Sequence, residues 1–378
     1  MKIVIAPDSF KGSLSAKDAA AAIERGIRKA GIESDTIKMP MADGGEGTME
    51  CLIQATSGTY ISCKALDPLG REISSGYGIL GDGKTCVIEM AMASGLYLVE
   101  EHERNPMLTT TYGFGQLIVS ALDHGCRQFI LALGGSATND GGAGMLQALG
   151  VELLDHTGKA IGFGGEALSE LNAITIDGMD ARLKDCDFLV ACDVDNPFIG
   201  ENGASVVFGP QKGATSEMVE QLDSNLEHFA DIIRQTLSIS IHHEPGAGAA
   251  GGLAGAIKAF LRGKLESGVS IVSRFTRLDE AIAGADLVIT GEGRIDSQTA
   301  RGKTLSGIAR LAQIHGVPVI VLAGSVGEGI ELLYEHGIMA IFSIVNRPMT
   351  LGEAMAATEG LLEEAAEQVL RAMNVSHG

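Results

Sequence analysis

Residues 129–144 read FILALGGSATNDGGAG, an apolar run that stops in a loop carrying five glycines together with Ser136, Thr138, Asn139 and Asp140, ahead of an Ala/Leu-rich stretch. A short β-branched and aliphatic run, a polar glycine loop and a helix start are the grammar of a parallel α/β sheet. Such a junction turns backbone N–H groups and a positive helix end toward an anion, and the absent Cβ atoms let a phosphate approach closely. The same residues have a plainer reading, a tight turn in which Asn139 or Asp140 caps a helix.

Four further segments share this character: DSFKGS at 8–13, MADGGEGT at 41–48, PGAGAAGG at 245–252 and TGEGRIDSQTARGK at 290–303. MKIVIAP leads into the first and ADLVIT into the last, both reading as buried parallel strands, so these loops fall at strand carboxyl ends. In open α/β sheets that edge is where ligands bind.

With 378 residues, 45% hydrophobic and 20% charged, the chain is long enough for two domains. A formal net charge of −20 argues against nucleic acid and anionic membrane surfaces. The expected partner is a small molecule. If that molecule is anionic, the scarce cations must be concentrated locally, and Lys11, Lys212, Arg294, Arg301 and Lys303 all stand in or beside glycine loops. The six cysteines form no CxxC pair and read as buried reduced thiols. No leader-like start and no apolar run of membrane-spanning length is present, so a cytoplasmic location is expected; a homo-oligomer is compatible with the sequence but not encoded by any motif.

Residues 15–30 carry helical apolar spacing with Ser15 as N-cap and Gly31 closing the helix, and DTIKMP followed by GTMECLIQAT repeats the strand–loop–helix unit. After Gly58 the pattern changes: TYISCKALDPLG, EISSGYGIL and KTCVIEMA alternate and predict antiparallel strands. From 285 the parallel grammar resumes with ADLVIT, TLSGIARLAQIHG, VPVIVLAG, EGIELLYEHG, IMAIFSIV and a terminal helix over roughly 352–374. The expected division is one α/β domain from residues 1–60 and 285–378, interrupted by a mixed α/β domain over 61–284, with the membership of 108–150 left open.

Nucleotide fingerprints are informative by failing. A P-loop around Gly302-Lys303-Thr304 needs glycine at 297, where the chain has Ser297. GAGAAG at 246–251 satisfies GxGxxG, but SISIHHEP ahead of it is a poor buried strand. The residue types favour phosphoryl transfer, which needs stabilisation of phosphoryl oxygens, a magnesium ligand and a carboxylate to orient or deprotonate the attacking hydroxyl. Asp8, Asp43, Asp193, Asp195 and Asn196, all near strand ends, are the acidic and amide candidates.

APDSFKGSLSA, PMADGGEGT, GGSATNDGGAG, DVDNPFIG, VFGPQKGA, PGAGAAGGL and LVITGEGRIDSQTARGKT, in this order over residues 6–304, resemble the bacterial class I glycerate kinase family. One departure is Leu305, where members commonly carry proline after the Lys-Thr pair. The resemblance implies ATP-dependent phosphorylation of D-glycerate at its 2-hydroxyl, magnesium as cofactor, and a flavodoxin-like domain interrupted by a second domain, with the active site in the cleft. On that reading the ATP phosphates lie against Gly134, Gly135, Ser136, Asn139 and Asp140 and against Gly291, Glu292 and Lys303. Lys303 or Lys212 then meets the transferring group. Asp8, Ser9, Lys11, Ser13 and Arg294 are expected to bind the substrate. Asp43 or Asp193 is expected to serve as base or magnesium ligand, with Lys11 and Lys212 as catalytic cations. Two alternatives carry different outcomes: a kinase producing 3-phosphoglycerate or acting on a related hydroxy acid, and a non-catalytic metabolite- or flavin-binding module.

Overall fold

A computed structural model of the chain describes residues 1–297, 299 and 304–374, and it folds into two compact units. One comprises residues 1–43 and 50–55 together with the chain from Gly268 onward; the other comprises 44–49 and 56–267, so that 108–150 belong to the second.

The chain opens with β1 (Lys2–Ile5), α1 (Ala16–Lys29), β2 (Asp35–Lys38) and α2 (Thr48–Thr56). Ser15 caps α1 by accepting from the Asp18 N–H at 3.1 Å, and Arg28 and Lys29 in its last turn complement the helix dipole. Gly31, at φ +74°, supplies the left-handed conformation that ends it.

The second unit follows with β3 (Thr59–Leu66), β4 (Glu72–Ile79), β5 (Thr85–Glu89), α3 (Ala91–Ser94), α4 (Tyr112–Asp123), β6 (Gln128–Ala132) and α5 (Ala143–Ala148). Next come β7 (Glu152–Leu154), β8 (Ala173–Thr175), β9 (Asp187–Ala191), α6 (Ala204–Phe208), α7 (Ser216–Leu237), α8 (Leu253–Leu261) and β10 (Lys264–Glu266). Its main sheet has the order β10-β9-β6-β5-β4-β3. As the alternation predicts, β3–β4 and β4–β5 are antiparallel, but β5 is parallel to β6 on its other edge, with Cys86 opposite Phe129 and Ile88 opposite Leu131. All five residues of β5 are buried, which is what a strand enclosed on both sides requires. The core joins Phe114, Leu117, Phe129, Phe198, Leu226 and Phe229, and Phe129 stacks on Phe188 at 4.9 Å. No strand precedes the glycine run at 246–251, so its GxGxxG lacks the βαβ frame of a dinucleotide site. Those glycines serve close packing instead: a Cβ on Gly251 would lie 2.0 Å from the Thr138 carbonyl oxygen, and one on Gly248 2.2 Å from that of Pro197.

The first unit resumes with α9 (Gly268–Thr276), α10 (Leu278–Ile282), β11 (Leu287–Ile295), α11 (Thr304–Ile314), β12 (Val319–Val326), α12 (Glu331–Glu335), β13 (Ile338–Ser343) and α13 (Leu351–Asn374). Its all-parallel sheet runs β13-β12-β11-β1-β2, the doubly wound flavodoxin-like order. The winding reverses at the gap between β1 and β11. On one face α1 buries Ile23 and Ile27 with Leu362, Val369 and Leu370 of α13, each worth roughly 1.5–3 kcal/mol against exposure. Three of the six cysteines, Cys51, Cys86 and Cys126, are buried, the other three are half-buried, and all six are free thiols.

Candidate active site

The loop after β1 and the outer half of β11 meet at the switch point of the first unit. Asp8 N–H donates to the Gly291 carbonyl at 2.8 Å and Ala6 N–H to that of Ile289, so the sheet ladder runs one step past β1 and delivers Asp8 to the carboxyl edge. Asp8 is 7% exposed. Its carboxylate accepts from Ser9 N–H at 2.6 Å and from Thr304 Oγ1 at 2.7 Å. Burial, reinforced by the negative charge of Asp43, pushes its carboxyl up to about 6.

Lys11 Nζ lies 3.0 Å from Asp43 Oδ2 with its side chain 74% exposed. Burial of part of Lys11 lowers its pKa, yet the charge and hydrogen bond of Asp43 outweigh this and raise it. Glu292 and Arg294 follow on the exposed continuation of β11; Glu292 accepts from Thr299 Oγ1 at 3.0 Å, and Arg294 Nε pairs with Asp296 at 3.2 Å. Asp8, Ser9, Lys11, Asp43, Glu292 and Arg294 all line one cavity of about 780 Å³. Ser13 lines it as well, but its hydroxyl donates to the Met355 carbonyl at 2.5 Å and sits 2.7 Å from Thr358 Oγ1, which fastens the loop to α13. Gly291 lies within β11, where a Cβ would stand 2.1 Å from the Leu322 carbonyl oxygen. Lys303 and Arg301 lie outside the described residues.

The second unit carries the loop between β6 and α5. Asp140 is fully buried and acts inward: Oδ2 accepts from Thr111 N–H and Thr111 Oγ1, both at 2.8 Å, and from Gly144 N–H at 3.2 Å, while Oδ1 accepts from Gly142 N–H at 3.0 Å. Burial raises its carboxyl against the pull of these donors. Asn139 is buried too, its Nδ2 donating to Ser205 Oγ at 2.9 Å. The first N–H groups of the six-residue α5 are therefore all taken up internally, Ala143 by the Asp140 carbonyl, Gly144 by the Asp140 carboxylate, Met145 by Thr111 Oγ1 and Leu146 by the Gly142 carbonyl. What the loop offers outward is the turn Gly134-Gly135-Ser136, in which Gly135 is exposed and its neighbours half-exposed. That turn is held by Leu96 N–H donating to the Gly135 carbonyl at 2.8 Å and by Gly134 N–H donating to that of Gly44 at 3.3 Å. A Cβ on Gly134 would fall 2.5 Å from Gly45 Cα.

Lys212 is 1% exposed, and Nζ donates to Ser136 Oγ at 2.8 Å and to the Thr138 carbonyl at 2.7 Å. Burial pushes it down to about 7 despite the charge of Asp140. A cation spent in this way is a strut beneath the turn. Asp193, by contrast, is exposed just after β9.

Glu89, a residue the sequence reading passed over, closes β5, is 5% exposed, and accepts from Met49 N–H at 2.7 Å, doing for α2 what an N-cap side chain does. Its signal was present: KTCVIEMA places an acid at the end of an apolar run, as MKIVIAPD does. Among the described residues no cluster of three or more His, Cys, Asp or Glu could hold a metal ion. Magnesium asks less, one or two carboxylates completed by water and phosphate oxygens, and Asp43, half-buried in the cavity wall, is a carboxylate that could supply one.

Comparison with known proteins bears on these clusters. The family model described as the glycerate kinase family matches residues 3–374. A glycerate kinase of Halalkalibacterium halodurans is 53% identical over 97% of both chains, and the glycerate 2-kinase of Escherichia coli K12 is 51% identical over 94% of this chain and 93% of its own. A crystal structure from Salmonella typhimurium LT2 carrying the name glycerate kinase 2 matches with a TM-score of 0.89 at 46% identity, covering 100% of this chain and 99% of that one. No described helix is long and apolar enough to cross a membrane. With a family model reaching from β1 into α13 and relatives of about half identity covering the chain almost end to end, this protein belongs to the glycerate kinase family.

Proposed function

We propose that the protein transfers the γ-phosphoryl group of ATP to the 2-hydroxyl of D-glycerate, releasing ADP and 2-phosphoglycerate, with magnesium as cofactor. The observation that carries this reading is the convergence of Asp8, Lys11, Asp43, Glu292 and Arg294 on one cavity at a sheet switch point, in a chain of this family. Glycerate is a small carboxylate with two hydroxyls. Lys11 and Arg294, exposed in the cavity wall, supply the cations for its carboxylate, and Ser9 a hydroxyl partner.

Asp8 is the proton acceptor, in preference to Asp43 or Asp193: it is the buried carboxyl of the pair, is fixed by two donors, and sits about 6, where a base can both accept and release a proton near neutrality. As the 2-oxygen bonds to the γ-phosphorus, its proton passes to Asp8 and the bond to the β–γ bridging oxygen breaks, leaving ADP. Asp43 would hold magnesium, together with water and phosphate oxygens, and the ion would neutralise phosphate charge, leaving Asp8 to take the proton. The Gly134–Ser136 turn receives phosphate oxygens of the nucleotide.

The test is a coupled assay with D-glycerate, ATP and magnesium, in which enolase consumes 2-phosphoglycerate directly and 3-phosphoglycerate only after a mutase is added. Signal without mutase is the expected result. Signal only with mutase overturns the choice of hydroxyl, and ADP release with neither overturns the acceptor. D8N is expected to lower kcat by at least about 100-fold, the contribution typical of a general base.

A further inference from the structure

Lys212 bears on the chemistry of Ser136 in a way that burial alone does not explain. In its charged form, which the charge of Asp140 favours, Lys212 has three donors and no acceptor, so at the 2.8 Å contact the Ser136 oxygen is the acceptor. Its single proton is then unavailable inward and is left for a partner on the open side of the turn, where Ser136 is half-exposed. The second ammonium contact, to the Thr138 carbonyl, fixes Nζ so that it cannot follow a rotating serine. The turn is pinned from separate elements: Lys212 after α6, Ser205 within α6 holding Asn139, and Thr111 ahead of α4 holding Asp140.

We infer that Lys212 is a positioning residue that turns Ser136 into an obligatory outward hydrogen-bond donor, and that this donor binds a non-reacting phosphate oxygen of the nucleotide. The inference rests on the kinase reading above and adds to it one contact and its cause. A serine free to rotate spends part of its time pointing away; one whose lone pair is occupied from below is organised before the ligand arrives.

The experiment compares wild type with S136A, S136T, K212M and the S136A/K212M double variant, measuring ADP affinity by calorimetry, KM for ATP, kcat and melting temperature. A hydrogen bond to a charged group is worth roughly 10- to 100-fold in affinity. S136A is therefore expected to raise the ADP Kd and ATP KM by at least about tenfold with kcat changed less than about threefold. S136T, which keeps the hydroxyl, should stay within about threefold of wild type. K212M should match S136A, and the double variant should be no worse than about threefold beyond either single one, because the two residues act through one bond. Multiplying losses in the double variant, or a folded S136A with wild-type ADP affinity, overturns the inference. Should K212M fail to fold, the contrast of S136A with S136T decides alone. Wild-type protein that neither binds ADP nor phosphorylates glycerate overturns the kinase reading along with this inference, whereas an active wild type with an indifferent S136A overturns only the latter.

Discussion

Replacing Asp140 tests whether the glycine loop owes its shape to one buried carboxylate. In the D140A variant the N–H groups of Thr111, Gly142 and Gly144 and the Thr111 hydroxyl all lose their acceptor. The hydroxyl matters doubly, since Thr111 Oγ1 itself accepts from Met145 N–H at 2.9 Å and links α5 to Asp140. An orphaned buried donor costs about 1–3 kcal/mol; taking the low end, because water can enter the space alanine leaves, four of them cost about 4 kcal/mol. For a folding unit of this size that corresponds to a fall in melting temperature of roughly 8–16 °C. The isosteric D140N keeps one oxygen but turns an NH₂ group toward a donor, so about half that loss is expected. Differential scanning calorimetry on the intact chain reads both. A D140A protein melting within about 2 °C of wild type would refute the reasoning, and so would D140N proving the worse of the two.

Other expectations follow from single positions. Gly26 on α1 packs so closely on α13 that a Cβ would lie 2.1 Å from the Glu363 carbonyl oxygen; G26A should destabilise by about 1–3 kcal/mol in chemical denaturation, outweighing the helix-propensity gain of about 1 kcal/mol. Asp8 titrates at about 6 in the fold against an ordinary 3.8, so the folded state binds more protons than the unfolded one between these values and stability falls as pH rises from about 4 to 6. That fall amounts to roughly 3 kcal/mol; it should appear in wild-type urea curves and be missing in D8N, and a flat wild-type profile would contradict it. Chelation should abolish turnover and magnesium restore it, with D43N needing at least about tenfold more magnesium for half-maximal rate, as removal of the protein carboxylate that would hold the ion implies.

Much of the architecture was legible because burial writes itself into composition. MKIVIAP, ADLVIT, VPVIVLAG and FILAL are enclosed strands, and only apolar, β-branched runs survive there. KTCVIEMA shows where alternation misleads: one edge of β5 pairs antiparallel and the other parallel, and a pattern of side chains says nothing about the direction of a neighbour. EGIELLYEHG promised a longer helix than Glu331–Glu335, but Gly329 and Gly337, both at positive φ, cut it at either end. At the candidate site, residue types were readable while directions were not. Asp140 and Asn139 stand in a polar glycine loop and point inward, and Lys212, a residue type that belongs at the surface, is buried because a turn carbonyl and a serine replace its water. Nothing local to positions 139, 140 or 212 encodes those partners, which come from Thr111 just ahead of α4, from α6 and from the loop itself.

The place of β1 in its sheet has a consequence for synthesis. β1 lies between β2 and β11, and the bond from Thr290 to the Ala6 carbonyl joins residues 284 apart. A ribosome therefore releases β1, α1 and β2 long before the strand that completes their sheet exists. The 56–267 stretch emerges in between as an uninterrupted unit with its own core, able to fold first. Until β11 arrives, the apolar edge of β1 is an exposed template for wrong pairing, so the nascent chain, more than the finished protein, is where chaperones have something to protect.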